Sequence, residues 1–218
     1  MEESFHIRKA AERDIPFLVE SVIAAEKSGT ETLSYSTIFN ISEEEVKALL
    51  SRIFEEDIPG QELCISGFLI AEINGEYAGA VSAWVEGVEG PSTIIKANML
   101  SFFLGKEKVA NATTKGTLLN TVHIEREIGA LQLESVYTCN KFRGQGVSGK
   151  LIEEHIRLVK KDFTDVKRAQ ILLAKTNNSA YKAYHKPGFY TVLERKCTDA
   201  AILDLLPADT MILMQKEI

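Results

Sequence analysis

Between residues 131 and 174 the sequence reads strand, glycine-rich turn, helix, strand, and that order restricts the fold more than any other feature of the chain. The segment Leu131–Thr138 has strand character and leads to Arg143-Gly144-Gln145-Gly146-Val147-Ser148-Gly149-Lys150. From there Leu151, Ile152, Ile156 and Val159 recur at helical spacing to about Lys161, and an apolar strand follows at 169–174. A helix that crosses between two strands of one sheet returns the second strand parallel to the first. Earlier in the chain, strands at 67–73 and 77–85 flank Asn74-Gly75, a dipeptide that favours the tight type I′ turn of an antiparallel hairpin. One sheet that holds both units must be mixed, so the pattern predicts an α/β fold.

The remaining segments fit around that sheet. A short strand is expected at Phe5–Lys9 and an amphipathic helix at 11–26, where Ile15, Leu18, Val19, Val22 and Ile23 share a face. Ser42 with Glu45 three residues on forms a capping box, which starts a second helix that runs to about Phe54. Residues 86–130 read as an insertion, helical or irregular, with an apolar face at Ile94, Ile95, Met99, Leu100, Phe102 and Phe103 before a break at Gly105. A short helix at 179–185 stops at Pro187-Gly188, and strands are expected at 189–195 and 211–216. No linker, repeat or charge block divides the 218 residues, so one domain is expected over 1–218.

Composition narrows the function. With 45% hydrophobic and 26% charged residues the chain should fold, and its longest apolar runs fall far short of the roughly 20 residues that span a membrane. The start, Met1 to Arg8, lacks the pattern of a secretory signal, which leads to the expectation of a cytoplasmic protein. Cys64, Cys139 and Cys197 are read as free thiols. His6, His123, His155 and His185 form no metal-binding spacing, and no metal is expected. A net charge of −6 without clustered Lys and Arg argues against nucleic acid and suits a cationic substrate.

Glycines between a strand and a helix let the backbone approach a ligand, while the N–H groups of the helix start attract an anion such as a diphosphate. An ordinary glycine turn capping a helix would look the same. Gly144-x-x-x-x-Gly149-Lys150 also matches most of a P-loop, but Leu151 stands where that motif needs a magnesium-binding hydroxyl, and residues 139–143 separate the strand from Gly144. A second pattern follows: Asn177-Asn178-Ser179-Ala180-Tyr181-Lys182-Ala183-Tyr184, then Gly188-Phe189. On periodicity alone, Tyr181 and Tyr184 are equally an aromatic stripe packed on the core.

Together, Arg143 to Val147 and Asn177 to Phe189 resemble the Arg-x-x-Gly-x-Gly/Ala and Asn-x-x-Ala-x-x-x-Tyr motifs of the GCN5-related N-acetyltransferases. Ser148 stands where the family usually has Gly or Ala, and Asn140 where it often has Pro. The likeness spans about residues 131–194 with the earlier elements in matching order, and 86–130 has no counterpart in it. It implies a mixed, mostly antiparallel central sheet flanked by helices, with a helical insertion between the third and fourth strands. It also implies acetyl-CoA as acyl donor and a primary amine of a small molecule or peptide as acceptor. By the same resemblance Arg143, Gly144, Gln145, Gly146, Val147, Ser148 and Gly149 bind the diphosphate, backbone groups of Val136, Tyr137 and Thr138 bind the pantetheine arm, and Asn177 and Tyr184 complete the coenzyme site. Tyr184 would be the general acid at the sulfur and Glu134 the general base, with His123 and Tyr137 as other candidates for the base. Trp84, Glu86, Glu89, Phe102, Phe103 and Glu125 are candidates for an amine site. A homodimer is an arrangement that many relatives adopt. The rival readings are an acyl-CoA-binding regulatory protein without turnover and, third, a P-loop nucleotide hydrolase.

Overall fold

The computed structural model describes residues 4–218; residues 1–3, where the segment read against a secretory signal begins, lie outside the described residues. Its centre is the hairpin of β2 (Phe68–Ile73) and β3 (Glu76–Val85). Asn74 and Gly75 turn it with φ of 52° and 81°, the two left-handed residues that a type I′ turn requires. β1 (Phe5–Lys9) pairs antiparallel with β2, and β4 (Leu131–Thr138) with β3. β5 (Arg168–Ala174) lies parallel to β4, as the crossover demands, and β7 (Thr210–Glu217) and β6 (Tyr190–Lys196) continue antiparallel. The result is a seven-stranded, mostly antiparallel sheet in the order β1-β2-β3-β4-β5-β7-β6.

Alternation along β2 shows why both faces are covered. Phe68 and Ile70 point to one side, where α1 (Ile15–Lys27), α2 (Ser34–Phe39), α3 (Glu43–Glu56) and the first half of α4 (Ser92–Asn120) bury Leu18, Tyr35, Leu50, Ile53, Phe54 and Met99. Leu69 and Ala71 point to the other, against Leu151 and Ile152 of α5 (Val147–Asp162) and Tyr184 of α6 (Asn178–His185). Burying such side chains is the main stabilising term.

Two helix starts differ in how well the sequence predicts them. At α3, Ser42 and Glu45 bond reciprocally, Glu45 N donating to Ser42 Oγ at 3.2 Å and Ser42 N to Glu45 Oε2 at 2.8 Å. At α1, regular helix begins at Ile15 rather than residue 11. Residues 12–14 form a tighter turn that carries Asp14 into the interior, where it accepts from both Arg8 amino groups (2.6 and 2.8 Å), Tyr77 Oη (2.7 Å) and Ala11 N (2.8 Å). The Arg8 guanidinium, opposed by burial, holds the Asp14 carboxyl well below the usual carboxylate range. α2, six residues long, has no counterpart among the helices expected from the sequence.

The insertion between β3 and β4 is helical, as expected, and breaks at Gly105, whose φ of 78° and ψ of 169° are not helical. α4 buries little beyond Ser92, Met99 and Leu100. Its C-terminal half is tied down by Lys115 Nζ, which donates to the carbonyls of Thr37 (2.6 Å) and Ile38 (2.9 Å) at the negative end of α2. All three cysteines are free, and no helix among the described residues is long and apolar enough to cross a membrane.

His155 on α5 is buried, with Nε2 at 2.9 Å from the Val81 carbonyl oxygen. Burial pushes its pKa down to about 4, with the Val81 bond opposing. Because the unfolded chain binds the proton from about pH 6.5 downward and the folded protein only near pH 4, stability falls as pH drops through that window. His155→Gln keeps a donor for Val81 but removes the titration. Denaturant unfolding at pH 7 and pH 4 should show wild type losing about 3 kcal/mol more than the variant.

Candidate active site

β4 and β5 pair only from Leu131↔Ala169 to Leu133↔Ile171, although β4 continues to Thr138 and β5 to Ala174. The separation begins at Ser135, a non-glycine residue with φ of 50°. Opposite it, Ser82 faces Glu134 and Ala80 faces Tyr137, so β4 carries one residue more than β3 over this stretch. Such a bulge bends its strand and shifts the alternation of side chains. Leu131, Leu133 and Val136 therefore share the α5 side, while Glu134 and Tyr137 face the other. Beyond Leu133 the β5-side backbone groups of β4 have no strand partner, which leaves Val136, Tyr137 and Thr138 able to bond a ligand laid in the fork.

The glycine turn closes one end of the fork. Gly144 (φ 82°) and Gly146 (φ 76°) are left-handed, and Gly146 caps α5. The N–H groups of the first turn of α5 have no partner within the helix, and the helix dipole adds positive potential. A cavity of about 280 Å³ lies before them, bounded by Val136, Tyr137, Thr138, Arg143, Gly144, Gly146, Val147, Ser148, Asn177 and Tyr184 together with Ala24, Ala25 and Gly29 from the end of α1. Of the residues singled out in this region, Gln145 and Gly149 are not among its walls. A Cβ at Gly144, Gly146 or Gly149 would meet no protein atom within 4 Å, so the space in front of the turn is open.

α6 brings in the second motif. Asn177 Oδ1 accepts from Ala180 N at 3.1 Å and caps the helix. Gly188, with φ of 95°, turns the chain, and Phe189 N donates to Tyr184 O at 3.1 Å, which fixes the tyrosine at the helix end. Burial first, then the Glu134 carboxylate, pushes the Tyr184 hydroxyl up from its ordinary pKa.

Ala25, Val136, Asn177 and Tyr184 also line a second cavity of about 380 Å³ that opens directly beside the first. Here Glu134 faces inward, not into solvent. Its Oε1 accepts from Arg126 Nη2 at 2.8 Å, and Arg126 in turn donates to Gln132 Oε1 at 3.2 Å and lies 4.8 Å from the Trp84 ring centroid. Burial pushes the Glu134 carboxyl up, outweighing Arg126. His123 reaches this cavity as well, whereas Tyr137 packs its ring 6.1 Å from that of Phe17 and is not part of it.

The cavity's other charged groups, Glu26, Glu62 and Lys96, are not among the site residues expected from the sequence. Lys96 pairs with Glu62 and lies 5.2 Å from the Tyr35 ring centroid. A lysine on the apolar face of the insertion, between Ile95 and Met99, was the available signal. The candidates Trp84, Glu86, Glu89, Phe102, Phe103 and Glu125 do not line the cavity; Trp84 instead donates from Nε1 to Glu86 at 2.9 Å behind Arg126, and Phe102 is 79% exposed on another surface.

No family model matches the chain, and no curated protein does either. Solved structures do. An N-acetyltransferase from Staphylococcus aureus superposes with a TM-score of 0.67 at 14% identity, over 97% of this chain and 100% of that one. A structure described as an acetyltransferase gives 0.59 at 20%, over 98% and 99%. An aminoglycoside acetyltransferase in complex with coenzyme A gives 0.54 at 15%, over 98% and 95%. The chain has the GCN5-related N-acetyltransferase fold.

Gly79 of β3 lies under the fork, and a Cβ there would come within 2.5 Å of Tyr137 O and 2.9 Å of Val147 Cγ1. Gly79→Ala should cost about 2 kcal/mol and lower the melting temperature by about 4–8 °C. Gly149→Ala, in open space and helical geometry, should leave Tm unchanged or raise it; thermal denaturation of the pair checks both.

Proposed function

We propose that the protein is an acetyl-CoA-dependent N-acetyltransferase that acts on a primary amine of a small molecule or peptide, with the chain working as one domain. The observation that supports this reading is that the cradle cavity and an acidic cavity adjoin, with Tyr184, Val136, Asn177 and Ala25 common to the walls of both. The fold shared with proteins described as acetyltransferases, one of them solved with coenzyme A, supports it.

The open space before Gly144 and Gly146 and the unpartnered N–H groups at the start of α5 fit a diphosphate, with Arg143 adding a positive charge. The free edge of Val136, Tyr137 and Thr138 fits the amides of the pantetheine arm. Acetyl-CoA supplies an acyl group activated as a thioester. The acceptor amine has to be neutral to attack, and Glu134 takes its proton directly or through water. Burial raises the affinity of Glu134 for a proton, which suits a base, while Arg126 fixes its position. Tyr184 remains protonated at neutral pH and donates a hydrogen bond to the departing sulfur. A thiol of ordinary pKa near 8.5 is a stronger acid than this tyrosine, so Tyr184 stabilises the thiolate chiefly by that bond.

Calorimetric titration with acetyl-CoA, followed by assay of thiol release with a panel of amines, tests the reading. Wild type should bind acetyl-CoA saturably and ignore ATP with magnesium, and Gly146→Trp should abolish binding by filling the cradle. Tyr184→Phe should retain binding while kcat falls by about 10–100-fold. Binding without thiol release for any amine would identify the regulatory alternative, and binding of ATP with magnesium instead of acetyl-CoA would identify the nucleotide hydrolase.

A further inference from the structure

The acidic cavity extends past the site of the reacting amine. Glu62, Lys96, His123 and Arg126 are walls both of the cavity beside Tyr184 and of a pocket of about 240 Å³ that ends at Ser92 and Thr93. The two pockets therefore adjoin, and an acceptor tail passing Glu62 and Lys96 would run toward α4.

The charges along this route do not cancel. Glu62 pairs with Lys96 and Glu134 with Arg126, while Glu26, from the last turn of α1, forms no ion pair among the described residues. Three carboxyl groups thus face two cations, both cations are already engaged, and burial pushes the Glu26 carboxyl up, so that a further cation beside it would favour its ionised form. One hydroxyl on this route lacks a partner among the described residues: Ser92 Oγ, on a residue 2% exposed that lines the inner pocket. A buried hydroxyl without a partner costs about 1–3 kcal/mol. An ionised carboxylate only accepts hydrogen bonds and a hydroxyl can accept as well as donate, so one cationic donor group satisfies both.

We propose that Glu26, with Ser92 further along the same route, forms a subsite for a second cationic group on the acceptor, so that the preferred substrates are diamines or amines with a cationic tail rather than monoamines. This rests on the acetyltransferase reading for the identity of the first subsite. The acceptor's reacting amine lies at Glu134, and its second ammonium lies at Glu26 and stays charged throughout. No bond forms there, and the subsite acts on binding.

The test titrates protein saturated with coenzyme A with 1,3-diaminopropane, 1,4-diaminobutane and 1,5-diaminopentane, each against the monoamine of the same chain length. At least one diamine should bind on the order of 10-fold or more tighter than its monoamine, as expected for a hydrogen bond to a charged group, and Glu26→Gln should collapse the ratio toward one. Equal binding of diamine and monoamine at every length, or a ratio that survives in Glu26→Gln, would overturn the proposal. Thiol release from acetyl-CoA is measured separately with the same amines. Failure of every amine to turn over would count against the transferase reading, while the binding ratio still decides the subsite.

Discussion

A sheet that opens in its middle has to stabilise two sets of unpaired backbone groups, and both cavities exist because β4 and β5 part after Leu133 and Ile171. Below the fork the two strands are held by more than their ladder. Gln132 Nε2 donates to Gln170 Oε1 at 2.9 Å, and Gln170 Nε2 donates to Gln215 Oε1 at 3.1 Å, a buried chain of amides across β4, β5 and β7. Such networks are costly when half satisfied and stiff when complete. Gln132 also accepts from Arg126 at 3.2 Å, so the same chain that pins the base of the fork holds the guanidinium that aims Glu134. Above the fork, the bulge at Ser135 directs Glu134 into the acidic cavity and exposes the backbone of Val136, Tyr137 and Thr138 to the other one.

The two ion pairs in the acidic cavity are not equivalent. For Glu62 and Lys96 the shifts agree: despite burial the carboxyl is pushed down and the ammonium well up, so this pair is ionised on both sides. For Glu134, burial wins over Arg126 and the carboxyl is pushed up. Buried ion pairs add little to stability compared with apolar packing of the same volume, so stability alone does not account for five charged side chains in one cavity. A fixed pair beside a carboxylate readier to take a proton fits the proposed division between charge recognition and a base.

Much of this architecture is legible in the sequence, and the gaps have physical causes. The hairpin follows from Asn74-Gly75, whose turn geometry few other dipeptides favour, and the start of α3 follows from a capping box whose two hydrogen bonds form as expected. β4 is legible to the residue. The true start of α1 is not, because the Arg8 and Tyr77 contacts that draw Asp14 inward join residues up to 63 positions apart. α2 spans six residues, too short to show a helical period. At the site, the glycine turn and the Asn177 to Phe189 motif are legible as local structure, a turn that starts α5 and a helix that carries Tyr184, since both depend on local backbone. Glu26 and Glu62 are invisible in the sequence because a charge beside apolar neighbours reads as solvated surface and only tertiary packing turns it inward, whereas Lys96 leaves a faint trace as a lysine on the apolar face of the insertion.

The two cavities are also built from material of different stiffness. The coenzyme side rests on β4, α5 and the end of α1, and α1 is anchored at its other end by the Asp14 cluster, which links it to β1 and β3. The acceptor side rests on α4 and the chain from Leu119 to Arg126. α4 carries a break at Gly105, buries few side chains and is tied down by lysine contacts to carbonyls at the end of α2. A segment with so little buried apolar contact opens at lower free energy than the sheet it covers. Under the proposed transferase function, a rigid cradle with a softer wall opposite it would hold the acyl donor in one geometry while the acceptor wall adjusts, with the charges on the fixed elements, Glu134 on β4 and Glu26 on α1, selecting among amines.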